Sequence, residues 1–457
     1  MKTVVIPIFS GNEGRFILRS DIYRTLTGRS DIRIVFLVRT RERKERYERE
    51  FMNPRVKFEV MRQYQPSLRD AFFGFLKYYL LRTRTIDLKR KARYEREGNI
   101  ARFLMSFCAN RLLARRPIRR LIRSLDRRLV RVPSVAACFE RLRPDLVFLA
   151  DLFDDTEAAF IREARRRNIR AVGMILTWDR VTSRWLARLL PDTLLVQNEF
   201  MRDEAARYQD MRYDAVSICG TIQHDSHVQK PTIAREEFCA KMMIPAENKI
   251  ILYGPIGRSF DASRELDQTV IDMINEWIGQ GGLGTKNITL IVRFPPNDFL
   301  KEGDMRPRSH AVYQVPGYRF SGKRGQDWDM SFDDLALLRD TVGNCDLVIT
   351  YYSSLSIDAA VFDKPAINID FNIENGKTVA KRHPYYETTH YQKAAATGGI
   401  RLVTSEEELR EWIRRYLVDP SLDSQGRAEL ARTQCWRVDG KSGRRAGEFL
   451  LSCLGDD

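Results

Sequence analysis

Short runs of β-branched and apolar residues alternate with longer stretches of helical period. Thr3–Phe9 is one such run; it ends in the polar Ser10-Gly11-Asn12-Glu13-Gly14, and the spacing predicts a helix over Arg15–Leu26. Further strands are expected at Asp31–Val38, Val56–Val60, Asp145–Ala150, Ala171–Leu176 and Thr193–Gln197, with a helix over Thr156–Asn168. Short strands joined by helices of about ten or more residues imply βαβ units, because a parallel partner can be reached only by a crossover. A break at Asp210–Ser217 interrupts the rhythm. It restarts with strands at Ile250–Tyr253, Ile288–Val292, Leu347–Thr350, Ala366–Ile369 and Ile400–Val403, an amphipathic helix at Glu406–Tyr416, and a closing helix–turn–helix.

The pattern therefore predicts an α/β chain of two Rossmann-like domains with parallel sheets facing a cleft. The first spans residues 1–215 and the second 216–457, with the last helices packing back towards the first. A chain of 457 residues exceeds one ordinary core, which agrees with that division. With 43% hydrophobic and 30% charged residues, the composition is that of an ordinary globular protein. The seven cysteines are odd in number and scattered, with no C-x-x-C pair, which argues against a disulfide framework and fits a reducing compartment. The amino-terminal apolar run is too short for a signal peptide, and no apolar stretch approaches the length needed to span a bilayer. A cytoplasmic protein is expected, peripheral on the cytosolic face of the inner membrane.

Charge changes the picture at one place. The net charge is +16, and residues 81–131 hold 17 Lys/Arg against four Asp/Glu. They lie in a helical insert at about 76–133, where Arg111, Arg115, Arg116, Arg119, Arg120, Arg123, Arg127 and Arg128 alternate with Leu112, Leu113, Ile118, Leu121, Ile122 and Leu125. A basic amphipathic helix of this kind suits an anionic leaflet, with Arg115, Arg116, Arg119 and Arg120 facing the membrane. Two other readings are a nucleic-acid surface, which no reader motif accompanies, and a helix packed on its own domain.

In open parallel sheets ligands bind outside the carboxyl ends of the strands. That rule selects Ser10–Arg15, Asp151–Asp155 and Trp178-Asp179-Arg180 in the first domain. In the second it selects Gly254–Ser259, Arg293–Asp298 and Tyr351–Ser354. The run Cys345–Thr350 leads through Tyr351-Tyr352 into Ser353 and Ser354, which open a helix. Outward-pointing N–H groups there suit a phosphate, although serines at that position are equally N-caps. Arg258 and Arg293, on successive strand ends, have the planar fork that holds a diphosphate and stabilises it on departure.

The segment from Thr350-Tyr351-Tyr352-Ser353-Ser354 through Asp358 to Lys364-Pro365 resembles the donor site of bacterial CDP-glycerol glycerophosphotransferases and related GT-B glycosyltransferases. Leu252–Arg258, Arg293-Phe294-Pro295 and Asp439–Arg445 are similar to further motifs of those families. Thr177–Ser183 and Tyr386–Tyr391 are similar to segments of surface-polysaccharide GT-B proteins. The resemblance implies a GT-B fold, a nucleotide-activated donor as substrate with no separate cofactor, and donor contacts from Gly254, Arg258, Arg293, Ser353, Ser354 and Asp358. Tyr351 stands where the family has Asp and Phe294 where it has His. Those groups, by the resemblance, bind or activate phosphate, so a sugar donor is favoured over CDP-glycerol.

An inverting transfer needs a base for the acceptor hydroxyl. Asp151 is the first choice, with Asp154 and Glu13 as further candidates; capping of the following helix is the competing role for the aspartates. Trp178 and Asp179 are expected on the acceptor side. The five histidines form no evident ligand set: His224 and His227 have Asp225 between them and no third ligand nearby in sequence, so no metal is expected. The function expected is transfer of a sugar from a UDP-, CDP- or GDP-sugar to a surface-glycan or lipid-linked acceptor. Polyol phosphotransfer from CDP-glycerol, UDP-sugar 2-epimerisation and a non-enzymatic basic scaffold are the alternatives.

Overall fold

Seven strands make the first sheet: β1 (Lys2–Ile8), β2 (Ile32–Val38), β3 (Val56–Val60), β4 (Leu146–Leu149), β5 (Arg170–Met174), β6 (Thr193–Val196) and β7 (Val216–Ile218). They pair in the order β3-β2-β1-β4-β5-β6-β7, and every neighbouring pair is parallel. Alternation along the strands loads two cores at once. Val5, Val35, Leu37, Val147 and Leu149 enter one, while Val4, Ile6, Ile34, Phe36, Leu146 and Phe148 enter the other. Helices on both faces therefore leave these strands apolar nearly throughout.

The described residues are 1–61, 64–230, 232–257, 263–298, 300, 302–320, 327–374, 377–379 and 382–455 of a computed structural model. The chain divides into two units, one of Met1–Ile222, Thr388–His390 and Lys441–Asp457, the other of Gln223–Glu387 and Tyr391–Gly440. The second unit contains β8 (Lys249–Tyr253), β9 (Ile288–Arg293), β10 (Ala311–Gln314), the short pair β11 (Tyr318–Arg319) and β12 (Trp328–Asp329), then β13 (Leu347–Thr350) and β14 (Ala366–Ile369). A second short pair, β15 (Asn372–Glu374) and β16 (Lys377–Val379), precedes β17 (Arg401–Val403). Its main sheet runs β10-β9-β8-β13-β14-β17, again parallel throughout. Two parallel α/β sheets are the expected fold class.

The carboxyl-terminal helix Ser442–Gly455 belongs to the first unit and places Ala446, Leu450 and Leu454 in its core. It lies against the helix Asp21–Thr27, where a Cβ on Gly447 would meet Thr25 at 2.6 Å. Glycine is what allows the two backbones to approach so closely.

Three expectations need revision. The edge strands β7 and β10 were not anticipated; each is short and pairs on one side only, so its apolar pattern is weak. The single helix over Arg15–Leu26 is instead interrupted, because Ser20 is extended and its Oγ accepts from Ile22 N at 3.2 Å, starting a new helix. The basic segment is likewise three helices, Arg84–Glu97, Ile100–Leu113 and Arg116–Leu129, the last with Pro117 in its first turn.

The Arg116–Leu129 helix also corrects the placement of Arg119. Its guanidinium is buried, 2.5 Å from Asp210, and Arg123 meets the other Asp210 oxygen at 2.8 Å. Arg115, Arg116 and Arg120 are exposed, and so are Leu121, Leu125 and Leu129. The helix thus turns part of its charge inward and a stripe of leucines outward. Beside it, Arg162 and Arg188 contact Asp126 at 2.6 and 3.0 Å, and Arg188 reaches Asp70 at 2.7 Å. Buried cations persist only with such partners.

Truncating the carboxyl-terminal helix anchor tests its place in the first core. Leu450→Ala should cost about 2–5 kcal/mol, read as a lower denaturation midpoint of the first unit in urea.

Candidate functional site

In the first sheet the strand order reverses between β1 and β4, and a crevice outside the carboxyl ends of strands at such a point is where α/β sheets take ligands. Glu13 follows β1, Asp151 follows β4, and Arg180 follows β5, so three adjacent strand ends converge there. Arg180 Nη1 contacts Asp151 Oδ2 at 2.7 Å. Asp151 N donates to Glu157 Oε2 at 2.8 Å, which sets a second acid directly beneath the loop. The Asp151 carboxylate retains 22% exposure, whereas Glu13 and Glu157 are buried.

Burial determines the protonation of this set. Desolvation, then the charges of Asp151 and Asp154, raise Glu13 to about 7, although the Ser10 and Phe9 amides donate to its carboxylate. Glu157 is held well above the usual carboxylate range by the same burial and by Glu13, Asp151 and Asp154. Asp154 has another occupation: it caps the helix Asp155–Arg166 through Thr156 N at 2.7 Å and meets Arg39 at 3.3 Å.

Trp178 and Asp179 lie on the next strand-end loop, beside the Arg180 pair. Trp178 packs edge-on against His390, with ring centroids 5.0 Å apart. Asp179 accepts from Thr177 Oγ1 at 2.7 Å and Ser183 Oγ at 3.0 Å. Burial opposes its charge, yet His390, Thr177, Arg180 and Ser183 together keep its pKa below the ordinary value.

The second sheet reverses between β8 and β13, and Gly254 and Tyr351–Ser354 stand at those two strand ends. Thr350 Oγ1 donates to the Gly254 carbonyl at 2.8 Å, and a Cβ on Gly254 would meet Leu355 at 2.6 Å, so only glycine fits. Ser353 Oγ accepts from Leu355 N at 3.2 Å, the cap of a short helix, Leu355–Val361. Ser354 precedes that helix without a side-chain cap. Arg258 lies outside the described residues.

Two of the expected donor-site residues have protein partners of their own. Arg293 is buried and donates to Gln314 Oε1 at 2.7 Å and to the Asp334 carbonyl at 3.2 Å, so its fork supports the strand-end structure rather than standing open to a diphosphate. Asp358 is fully enclosed: Oδ1 meets His227 Nε2 at 2.8 Å and His224 Nε2 at 3.2 Å, and Gln223 donates to both oxygens. Burial opposes the charge on both groups. The histidines nonetheless hold Asp358 well below the carboxylate range, and Cys435 with Asp358 raises His224 to about 10. A carboxylate therefore does lie beside the two histidines in space, 131 residues from His227. Tyr351 and Phe294, at the two departures from the family pattern, are buried aromatic rings; Phe294 stacks on Tyr313 at 6.2 Å between centroids.

Reasoning from sequence missed Glu157 and the alliance of Asp358 with the histidines. Glu157 had one signal, an acid inside the buried run Thr156–Ala164. Nothing local marks Asp358 as a partner of His224.

The chain is thus doubly wound, with an acid set at one switch point and a glycine–hydroxyl turn at another. The signature of the CDP-Glycerol:Poly(glycerophosphate) glycerophosphotransferase family matches residues 177–452, more than half of the chain. The chain belongs to that family. Solved structures share its fold at low identity. Staphylococcus aureus MnaA with UDP is 10% identical, covers 100% of this chain and 99% of its own, and has a TM-score of 0.56. UDP-GlcNAc 2-epimerase from Neisseria meningitidis bound to UDP-GlcNAc is 12% identical, with coverage of 99% and 100% and a TM-score of 0.57. The wall teichoic acid polymerase TagF is 10% identical, with coverage of 99% and 89% and a TM-score of 0.53. No curated protein sequence matches the chain.

The Glu13 shift has a sign. Its carboxyl keeps its proton to about pH 7 when folded against about 4.5 otherwise, so the stability it supplies is complete below about 4.5 and is lost as pH rises through about 7. Glu13→Gln stays neutral, so its Tm should fall less than that of the wild type between about pH 5 and about pH 8.

Proposed function

We propose that the chain transfers a sugar from a nucleotide-sugar donor to a hydroxyl of an envelope glycan or lipid-linked acceptor. The observation that carries this reading is Asp151, the partly exposed acid of the set at the first switch point, flanked by Arg180 and backed by Glu13 and Glu157. Asp151 takes the acceptor proton as the hydroxyl oxygen attacks the anomeric carbon. The bond from that carbon to the nucleoside diphosphate breaks, and the electron pair leaves with the diphosphate. Arg180 orients the carboxylate. Glu13, which ionises near pH 7, places a second carboxyl beside this base.

Tyr351 and Phe294 support a sugar over glycerol phosphate. Both are buried and aromatic, so neither supplies the acid or imidazole that the resemblance associates with phosphate handling. The UDP and UDP-GlcNAc bound in structures of similar fold are consistent with a nucleotide-sugar donor. Membership of the glycerophosphotransferase family favours a second reading, in which the same base activates the acceptor for attack on the β-phosphorus of CDP-glycerol and CMP departs. Cell-envelope polymer synthesis is the setting in either case, and no metal or cofactor is assigned to the chemistry.

Peripheral attachment to an anionic membrane belongs to the proposal too. Leu121, Leu125 and Leu129 form an exposed stripe on a helix that also exposes Arg115, Arg116 and Arg120 at its start, a pairing of apolar and cationic groups suited to a lipid surface. Among the described residues, no helix is long and apolar enough to cross a membrane.

With an envelope-derived acceptor present, a UDP-, CDP- or GDP-sugar should release its nucleoside diphosphate. Asp151→Asn should lower kcat by about 10²–10⁴-fold with little change in donor KM. Release of CMP from CDP-glycerol alone would favour the second reading, and normal turnover by Asp151→Asn would remove the base. Replacing Leu121, Leu125 and Leu129 with Gln should release the protein from phosphatidylglycerol vesicles in co-sedimentation; unchanged binding would refute the membrane contact.

A further inference from the structure

His224 and His227 straddle the start of the helix Asp225–Gln229, so their rings converge although they are three positions apart. Their centroids are 5.3 Å apart, and both Nε2 atoms point at the same Asp358 oxygen, at 3.2 and 2.8 Å. One ligand atom from each residue lies within 4.8 Å of the others, and all three side chains are buried. His224 Nε2 is buried and faces Asp358 Oδ1 at 3.2 Å. Its other nitrogen, Nδ1, lies 3.2 Å from Cys435 Sγ. If Nδ1 carries the proton and donates to sulfur, the lone pair of Nε2 is fixed towards Asp358, the arrangement by which an outer partner orients a metal-binding imidazole.

We propose that His224, His227 and Asp358 form a buried site for one divalent transition-metal ion, Zn²⁺ by ligand chemistry, with Cys435 holding the His224 tautomer from outside. Two neutral imidazoles and a carboxylate are borderline ligands suited to Zn²⁺ and poor for Mg²⁺. Tetrahedral bonds of about 2.0–2.1 Å put neighbouring ligand atoms about 3.3 Å apart. The 3.2 Å separation already fits, and the 2.8 Å one needs to open by about half an ångström. The ion would displace a proton shared between Asp358 and the imidazoles. Asp358 sits in the first helix after the β13 turn, and both histidines lie at the start of the second unit, so the ion would tie that turn to the segment entering the unit. This proposal does not depend on Asp151 or on the donor.

The full-length chain is stripped with dipicolinate, dialysed, incubated with Zn²⁺, passed through a desalting column and analysed by mass spectrometry for metal. One zinc per chain is expected in the wild type and none in His227→Gln or Asp358→Asn, each checked for folding by circular dichroism. No zinc in the wild type, or an unchanged equivalent in either folded variant, overturns the site. Should both variants misfold, wild-type protein loaded with Co²⁺ decides the matter: intense visible bands of a four-coordinate ion support it, and the weak spectrum of an octahedral ion overturns it.

Discussion

A carboxylate moved out of water must find a cation, a set of donors or a proton, and the buried acids of this chain are arranged around that requirement. Asp210 takes Arg119 and Arg123; Asp126 takes Arg162 and Arg188; Asp358 takes two imidazoles. Glu13 and Glu157 are served by backbone amides among like charges, and they keep protons instead. The first group holds the fold together. The second is where proton chemistry near neutral pH becomes available, and it lies at the reversal of strand order where the sheet leaves a crevice.

Most of the strands were legible in the sequence because parallel strands buried on both faces are apolar throughout and short, whereas the helices between them keep a different period. Asp31–Val38, Val56–Val60, Leu347–Thr350 and Ala366–Ile369 all stand out in this way. The edge strands Val216–Ile218 and Ala311–Gln314 did not, since a strand with one neighbour need not be apolar on every residue. Ser20 was equally hidden: in a helical pattern it reads as one more polar position, and only its extended backbone reveals a cap.

The acid at the first strand ends was legible because the carboxyl-end rule depends on topology alone, so Glu13 and Asp151 could be named before any contact was known. Arg293 and Arg119 show where such reasoning stops. A cation on a strand-end loop or an amphipathic helix looks open to solvent until its partner is found. Those partners, Gln314 and Asp210, come from elements whose approach no local pattern encodes. The imidazole that meets Asp358, 131 positions away, is equally beyond any local pattern.

Proton chemistry at the β1–β4 junction depends on a carboxyl group that stays protonated close to neutrality. A titration of the protein labelled with ¹³C at glutamate Cδ, followed by NMR, observes it directly. One resonance moving at about pH 7 and absent from Glu13→Gln is predicted. If every glutamate instead completes its titration in the ordinary carboxylate range, the junction is an open, charged surface and the account is contradicted.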